Sequence, residues 1–330
     1  PLFGAFGPYG MDGSQTPRSR MTSKIAKWAT APEQAPLWTS RPVQGKVGLL
    51  LVPESQLFTY AQQGDTDYYA GSMTGAYQGF FDNNIQADWV RLAHIDEYDL
   101  LYLPFPVMLE QETADTLKAW VEAGGTLVAE GCPAYFGDRG HVGTTQPNLG
   151  LDELFGARQS YVEFTPDLLG DLAFNLSGTS VRGGLFLQAY EPTTGTPVGW
   201  YEDGRVAAVD HTYGAGRTRL IGTMCGYGYG AHPEDRSGLF FAEVLAYGGQ
   251  EQHVQSSDPR VKARLHDGEG GTYLWVANPA RQTVPVRLTL SEAWGPYTVV
   301  QTLWGAEATV DGRTIELTAG ARDVSVLKLE

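Results

Sequence analysis

Three short, continuous apolar runs constrain the fold of this chain more than any other feature of its sequence. They are VGLLLV at 47–52, YDLLYLP at 98–104 and TLVAEG at 126–131. A run that is apolar at nearly every position is typical of a strand covered on both faces. Between the runs, apolar residues recur at helical spacing, and the second helix is expected to stop at Gly124. This alternation predicts an α/β domain with a doubly wound parallel sheet.

The same domain is expected to extend over residues 46–251. Two further strands are predicted at 206–210 and 217–223, and a last helix is predicted to begin at Pro233. Residues 157–200, between these elements and the first three strands, favour irregular or β-rich structure.

After about residue 252 the apolar period changes to two. The alternation is clear in VPVRLTL at 284–290, and turns such as DGEGG and AGAR separate similar runs. Short strands at this spacing predict a small all-β sandwich over residues 252–330. Residues 1–45 combine a glycine-rich aromatic stretch, one helix beginning near Thr16 and a proline-rich linker, so they are expected to form a separate segment.

The charge balance narrows the set of partners. The chain has 38 acidic and 23 basic side chains, for a net charge of −15. Nucleic acids and anionic membranes both require a basic face, so neither is an expected partner. No long apolar span and no secretory signal are present, which favours a cytoplasmic location. The two cysteines, Cys132 and Cys225, do not make a disulfide framework.

Cys132, His232 and Glu234 occur in the chain order of the catalytic triad of class I glutamine amidotransferases. Cys132 follows a predicted buried strand, which is where many α/β enzymes place a nucleophile. One hypothesis is therefore an independent enzyme of amidotransferase type.

The residues around Cys132 argue against that hypothesis. The positions two residues to either side, which should be small at a sharp nucleophile turn, are Glu130 and Ala134. The next residue is Pro133, whose nitrogen carries no hydrogen for an oxyanion hole. The stretch PAYFGDRG is typical of a loop and not of the helix that would lower the thiol pKa. We therefore predict that Cys132 is chemically ordinary.

Neither a metal nor a cofactor is predicted. Cys225 and His232 have no third ligand at metal-binding spacing. The glycines of GTMCGYGYGAH, at 222–232, precede the last predicted helix and could surround an anion. However, the chain has neither a GxGxxG nor a Walker pattern, which argues against a nucleotide site.

Aromatic residues beside glutamines make a carbohydrate contact plausible near the first strand. The segment 54–69 is expected to be a loop at the carboxyl end of that strand, where open α/β sheets place ligand-facing segments. It carries Phe58 and Tyr60 together with Gln62 and Asp65. The alternative is that these rings are ordinary packing. A carbohydrate-binding module is accordingly a third hypothesis for the chain.

Several stretches resemble the C-terminal part of glycoside hydrolase family 42 β-galactosidases. PLFGAFGPYGMDGSQTPRS at 1–19 is similar to the segment that follows the last barrel strand in that family. VGLLLVPESQLF at 47–58 and YLPFPVMLEQETADTLKAWVEAGGTLVAEG at 102–131 resemble the core of its trimerisation domain. The resemblance implies a flavodoxin-like domain related to class I glutamine amidotransferases that has lost their catalysis, followed by the small β domain.

The resemblance also implies partners that are not part of this chain. A retaining glycosidase needs two carboxylates about 5 Å apart. In this family they stand on a (β/α)₈ barrel of about 250 residues. Only residues 1–45 precede the first predicted domain, so both catalytic glutamates should lie upstream. The chain indeed begins like the middle of a longer protein, and no catalytic residue is assigned within it.

The expected role is an accessory and oligomerisation part of a homotrimeric glycosidase acting on β-linked galactosides. Phe3 and Phe6, in the segment expected to follow the barrel, join Phe58 and Tyr60 as candidate substrate contacts. One departure bears on which sugar is bound. The family usually has a Glu and a His that help to hold the sugar in the loop corresponding to GAFGPYG, and that stretch of this chain contains neither residue.

Overall fold

The computed structural model describes residues 9–232 and 238–330. The α-helices within those residues are α1 Pro17–Ala29, α2 Ala35–Thr39, α3 Pro53–Gln63, α4 Asp67–Asp82, α5 Gln111–Glu122, α6 Leu151–Phe155, α7 Cys225–Ala231 and α8 Leu239–Tyr247. The strands of the first half are β1 Arg41–Pro42, β2 Val47–Leu50, β3 Ala87–Val90, β4 Leu100–Leu103, β5 Thr126–Ala129, β6 Ala157–Phe164, β7 Ala173–Leu176, β8 Thr179–Arg182, β9 Phe186–Pro192 and β10 Thr196–Tyr201. Those of the second half are β11 Val206–Tyr213, β12 Gly216–Ile221, β13 Val254–Ser256, β14 Lys262–Asp267, β15 Thr272–Asn278, β16 Val284–Leu290, β17 Val300–Trp304, β18 Ala308–Asp311, β19 Thr314–Ala319 and β20 Asp323–Leu329.

The three apolar runs form neighbouring parallel strands, as predicted. Among the described residues the main sheet has the order β3-β2-β4-β5-β12-β11-β10-β7-β8. Strand β9 joins it by pairing with β11, and β6 pairs with β9. Strands β3, β2, β4, β5 and β12 are parallel to their neighbours within this group. All four residues in each of β2, β4 and β5 are buried.

The rest of the main sheet is antiparallel, so the prediction of a parallel sheet holds for only part of it. Strand β11 runs antiparallel to β12, and β10 to β11. The connection from β11 to β12 is a tight turn at 214–215, and a turn this short can join only antiparallel neighbours. The stretch 157–200, expected to be irregular or β-rich, supplies β6 to β10. The domain is therefore a mixed α/β fold.

Helices cover both faces of the parallel strands because successive side chains of a strand point to opposite sides. Leu49 and Tyr102 pack on one face with Phe80 of α4 and Val244 of α8. Leu50 and Leu101 pack on the other face, in a cluster whose remaining members include Leu117, Val121, Leu151 and Leu154 of α5 and α6.

Helices α4 and α7 pack unusually closely on the first of these faces. A Cβ atom added at Gly75 of α4 would overlap the carbonyl oxygen of Gly226 in α7. A Cβ atom at Gly226 would in turn overlap the carbonyl oxygen of Ser72. Backbone thus lies against backbone, which only glycine permits at these two positions.

The C-terminal region is a two-layer β structure, as its period of two predicted. One sheet has the order β1-β14-β15-β20-β17 and the other β13-β16-β19-β18. Burial alternates strictly along β16. The inward side chains of both sheets share one apolar cluster that includes Leu265, Leu288, Ile315 and Leu327.

The segment before residue 46 packs on this C-terminal region. Strand β1 pairs with β14. The indole nitrogen of Trp28 in α1 donates a hydrogen bond of 2.8 Å to the carbonyl oxygen of Leu303. The Trp28 ring lies 5.1 Å from that of Trp304, between ring centroids. The domain boundaries at 45/46 and 251/252 stay a prediction.

Candidate functional site

The segment 54–69, predicted to be a loop, lies mostly in two helices. Helix α3 begins at Pro53 and ends at Gln63, and it is capped by Gly64, whose φ of 82° is left-handed. Helix α4 starts three residues later, at Asp67. Proline at the first position and glycine after the last are the usual helix boundaries, so PESQLFTYAQQG carried the signal and the loop prediction was wrong.

Cys132 is a fully buried side chain in apolar surroundings. It belongs to a cluster with Met73, Phe105, Leu185 and Met224. Its backbone N–H donates a hydrogen bond of 2.7 Å to Oε1 of Gln188. Burial raises the pKa of its thiol far above the ordinary value, so the thiolate required of a nucleophile is strongly disfavoured.

The other two members of the amidotransferase-type triad hypothesis do not change this assessment. Nε2 of His232 lies 2.6 Å from the carbonyl oxygen of Gly170. His232 borders a cavity that is also lined by Cys225, not Cys132. Glu234 lies outside the described residues.

We expect Cys132→Ala to leave any activity of the intact protein within a few-fold of the wild type. The physical reason is that the thiol is protonated and buried, so it has no acid–base or nucleophilic task to lose. The check is an activity assay alongside titration with a thiol reagent, which should react only after unfolding. A thousandfold loss of activity with the fold intact would restore the amidotransferase hypothesis.

Glu130 is a buried polar residue at the ends of the parallel strands, and its role was not predicted from the sequence. It follows β5 directly and is fully buried. Its Oε1 accepts hydrogen bonds from the hydroxyl of Tyr102, at 2.8 Å, and from the N–H of Gly226, at 2.6 Å. Its Oε2 accepts one from the N–H of Phe105, at 3.1 Å.

These three donors join the ends of β4 and β5 to the start of α7. Burial raises the pKa of Glu130 to about 7, and the three hydrogen bonds oppose that rise. Because the carboxyl is closed off from solvent, it can stabilise the fold but cannot reach a substrate.

The structure bears on the metal and anion sites that were considered from the sequence. Within residues 9–232 and 238–330, no group of three or more His, Cys, Asp or Glu side chains could hold a metal ion. The glycines at 226, 228 and 230 lie inside α7, so they do not form an anion-binding loop before a helix. The last described helix begins at Leu239, after Gly238, and the predicted helix start at Pro233 lies outside the described residues.

An aromatic cavity of about 410 Å³ lies between α3 and the segments that follow β4 and β5. We call it the aromatic cavity; its apolar lining includes Phe58, Phe105, Val107, Phe136, Phe164 and Phe186. The Phe58 and Phe136 rings are 4.3 Å apart, and those of Phe164 and Phe186 are stacked at 4.6 Å, between ring centroids.

Backbone hydrogen bonds fix the floor of the aromatic cavity. The N–H of Phe136 donates to the carbonyl oxygen of Val107 at 2.9 Å, and that of Ala134 donates to Pro106 at 2.8 Å. The segments after β4 and β5 are therefore joined to each other by backbone hydrogen bonds. Strand β3 lies on one side of β2 and β4 on the other, so the cavity lies beside the point where the chain changes direction across the sheet.

The predicted substrate contacts divide into three groups. Phe58 is half-buried and lines the aromatic cavity. Tyr60, on the same helix, is 60% exposed and is not part of that lining. Phe3 and Phe6 lie outside the described residues. Contact of any of these four with a sugar stays a prediction.

The comparison with known families decides the relationship. A family model described as the beta-galactosidase trimerisation domain matches residues 45–236. The chain belongs to the beta-galactosidase trimerisation domain family. The search of curated proteins gave no match. No helix among the described residues is long and apolar enough to cross a membrane.

Solved structures of three beta-galactosidases share the fold of this chain over nearly its whole length. A catalytic mutant of a GH42 beta-galactosidase from G. stearothermophilus is 19% identical with a TM-score of 0.75, over 98% of this chain and 45% of that one. The beta-galactosidase of Bacillus circulans sp. alkalophilus is 16% identical with a TM-score of 0.75, over 97% and 46%. That of the Antarctic haloarchaeon Halorubrum lacusprofundi is 20% identical with a TM-score of 0.69, over 98% and 44%.

At these identities the likeness shows the fold alone. The chain spans less than half the length of each of these three enzymes. The predicted resemblance to family 42 is confirmed.

Proposed function

We propose that the chain is the accessory and oligomerisation part of a β-galactosidase-like glycoside hydrolase that acts on β-linked galactosides. The observation that carries the proposal is the match to the trimerisation-domain family over residues 45–236. The coverage supports it, because nearly all of this chain corresponds to less than half of each GH42 enzyme. The catalytic (β/α)₈ barrel, with both glutamates, would precede Pro1.

The interior of the main domain suits a supporting role. Its buried nucleophile candidate, Cys132, and its buried carboxyl, Glu130, are both closed to solvent. We assign the domain to the class I glutamine amidotransferase-like, flavodoxin-like group. The support is the parallel order β3-β2-β4-β5 and the φ of 59° at Cys132, a left-handed conformation typical of a sharp turn after a strand.

A homotrimer is part of the proposal, and exposed rings on one edge of the main sheet could serve it. Tyr77 of α4 and Trp89 of the edge strand β3 are stacked at 5.5 Å between centroids. Trp89 is 43% exposed and Tyr77 36%. Large rings at a sheet edge are typical of surfaces that another chain covers. A cytoplasmic location is proposed as well, since both cysteines are free.

A galactosidase assay tests where catalysis resides. The 330-residue chain alone should not hydrolyse nitrophenyl β-galactoside, whereas a protein that also contains the sequence upstream of Pro1 should. The reason is that the two strand-end carboxylates of a retaining glycosidase belong to the barrel. Robust turnover by the isolated chain, abolished by changing a single Asp or Glu within it, would overturn the proposal.

A further inference from the structure

The aromatic cavity has the size and shape of a small-molecule site that the oligomerisation role does not require. Its volume of about 410 Å³ falls in the range of ligand pockets. It lies at the carboxyl ends of parallel strands beside the direction change between β2 and β4, which is where open α/β sheets bind ligands. Its floor is held by the hydrogen bonds between the segments after β4 and β5.

The lining selects for an uncharged ligand. None of the described side chains that line the cavity carries a charge. A charged ligand would lose its hydration there without gaining a partner, which is costly. The lining therefore favours a neutral ligand over a charged one.

The lining also favours a planar apolar ring over a sugar. Eight of its eleven residues are aromatic or aliphatic, so a planar ring would find several apolar and aromatic faces to pack against. A sugar presents several hydroxyl groups, each of which needs a partner when buried. The polar groups of the lining are few. Gln62 and Gln63 are exposed residues, the Thr59 hydroxyl already donates to the carbonyl oxygen of Ser55, and Tyr135 adds one hydroxyl.

We propose that the aromatic cavity binds a small neutral molecule with an aromatic ring, held between Phe58 of α3 and Phe164 of β6. The exposed glutamine amides would bind one hydroxyl or ether oxygen of that molecule. Two sources share this chemistry: the aryl group of a glycoside and a free phenol. The inference concerns the cavity alone and does not depend on the proposed enzyme.

The test is calorimetric or NMR titration of the 330-residue chain with p-cresol, phenyl β-D-galactoside and methyl β-D-galactoside. p-Cresol should bind with a dissociation constant of about 1 mM or lower, given the efficiency of small ligands. Methyl β-D-galactoside should not bind. Tighter binding of the phenyl galactoside than of p-cresol would identify glycosides as the source, and the reverse order would identify free phenols.

Two variants on separate elements keep the test valid if one of them fails to fold. Phe58→Ala and Phe164→Ala should each weaken p-cresol binding about tenfold or more, since each removes a ring face. Leu57→Ala is the control, because Leu57 neighbours Phe58 but is 70% exposed and is not part of the lining. Failure of the wild-type chain to bind p-cresol would overturn the inference. So would equal binding of methyl β-D-galactoside, or retained p-cresol affinity in folded forms of both cavity variants.

Discussion

Replacing Glu130 by alanine is expected to lower the free energy of unfolding by about 4 kcal/mol, measured by denaturant titration at pH 6. The substitution removes the acceptor for two buried backbone N–H groups, those of Phe105 and Gly226, and for the Tyr102 hydroxyl. A buried donor without an acceptor costs more than a hydrogen bond contributes, because it also loses its hydration. A loss below about 1 kcal/mol would show that water or a local shift replaces the carboxyl.

The isosteric Glu130→Gln variant separates charge from shape. Its amide oxygen can still accept from Tyr102 and Gly226, so it resembles the protonated acid. Burial raises the pKa of folded Glu130 to about 7 from an ordinary 4.5. The folded protein thus holds this proton more tightly than the unfolded chain, and the resulting stabilisation is complete below pH 4.5 and lost as the pH rises to about 7. That loss corresponds to about 3 kcal/mol.

The difference in unfolding free energy between the wild type and Glu130→Gln cancels the contribution of the other titrating groups, which the two proteins share. Between pH 4.5 and 7.5 the wild type should lose about 3 kcal/mol of stability relative to Glu130→Gln. Parallel stability curves for the two proteins would contradict the raised pKa.

Gly75→Ala is expected to destabilise the main domain by about 3 kcal/mol or more, or to prevent its folding. The new Cβ would overlap the carbonyl oxygen of Gly226, and neither helix backbone can move without disturbing the sheet beneath. Thermal and denaturant unfolding would measure the loss. Helix propensity acts in the opposite direction, since alanine is favoured over glycine in a helix by about 1 kcal/mol.

Gly230→Ala is the matched control on the partner helix α7. A Cβ at Gly230 would meet its nearest neighbour, Cα of Gly75, at 3.6 Å, which is ordinary contact. This variant should be neutral or slightly more stable than the wild type. Equal stability of the two alanine variants would contradict the close backbone packing of α4 against α7.

The three central strands of the parallel part of the sheet were predictable because each is buried on both faces and therefore consists of consecutive apolar residues. The alternation of period two in β16 likewise predicted the C-terminal β layers. The helix α3 was missed although Pro53 and Gly64 mark both of its ends. Helix α7 could not be predicted, since its glycines have low helix propensity and only packing against α4 accounts for it.

In the candidate site, too, features that depend on neighbouring residues were predictable, and features that depend on contacts between distant parts of the chain were not. That Cys132 is chemically ordinary is predicted from Pro133, its immediate neighbour, and its burial agrees with that prediction. The role of Glu130 was not predicted, because Gly226, which donates to it, lies 96 positions away in the sequence. The aromatic cavity likewise combines α3, two strand-end segments, β6 and β9, and the sequence analysis named only Phe58 and Gln62 of its lining.

Light scattering on the isolated 330-residue chain tests the central claim most directly. An oligomerisation part should form a stable assembly by itself, and obligate interfaces commonly bury upward of about 2,000 Å². The account predicts the mass of three chains of 35.9 kDa each, retained on dilution to micromolar concentration. A clean monomer of 35.9 kDa at every concentration would contradict it.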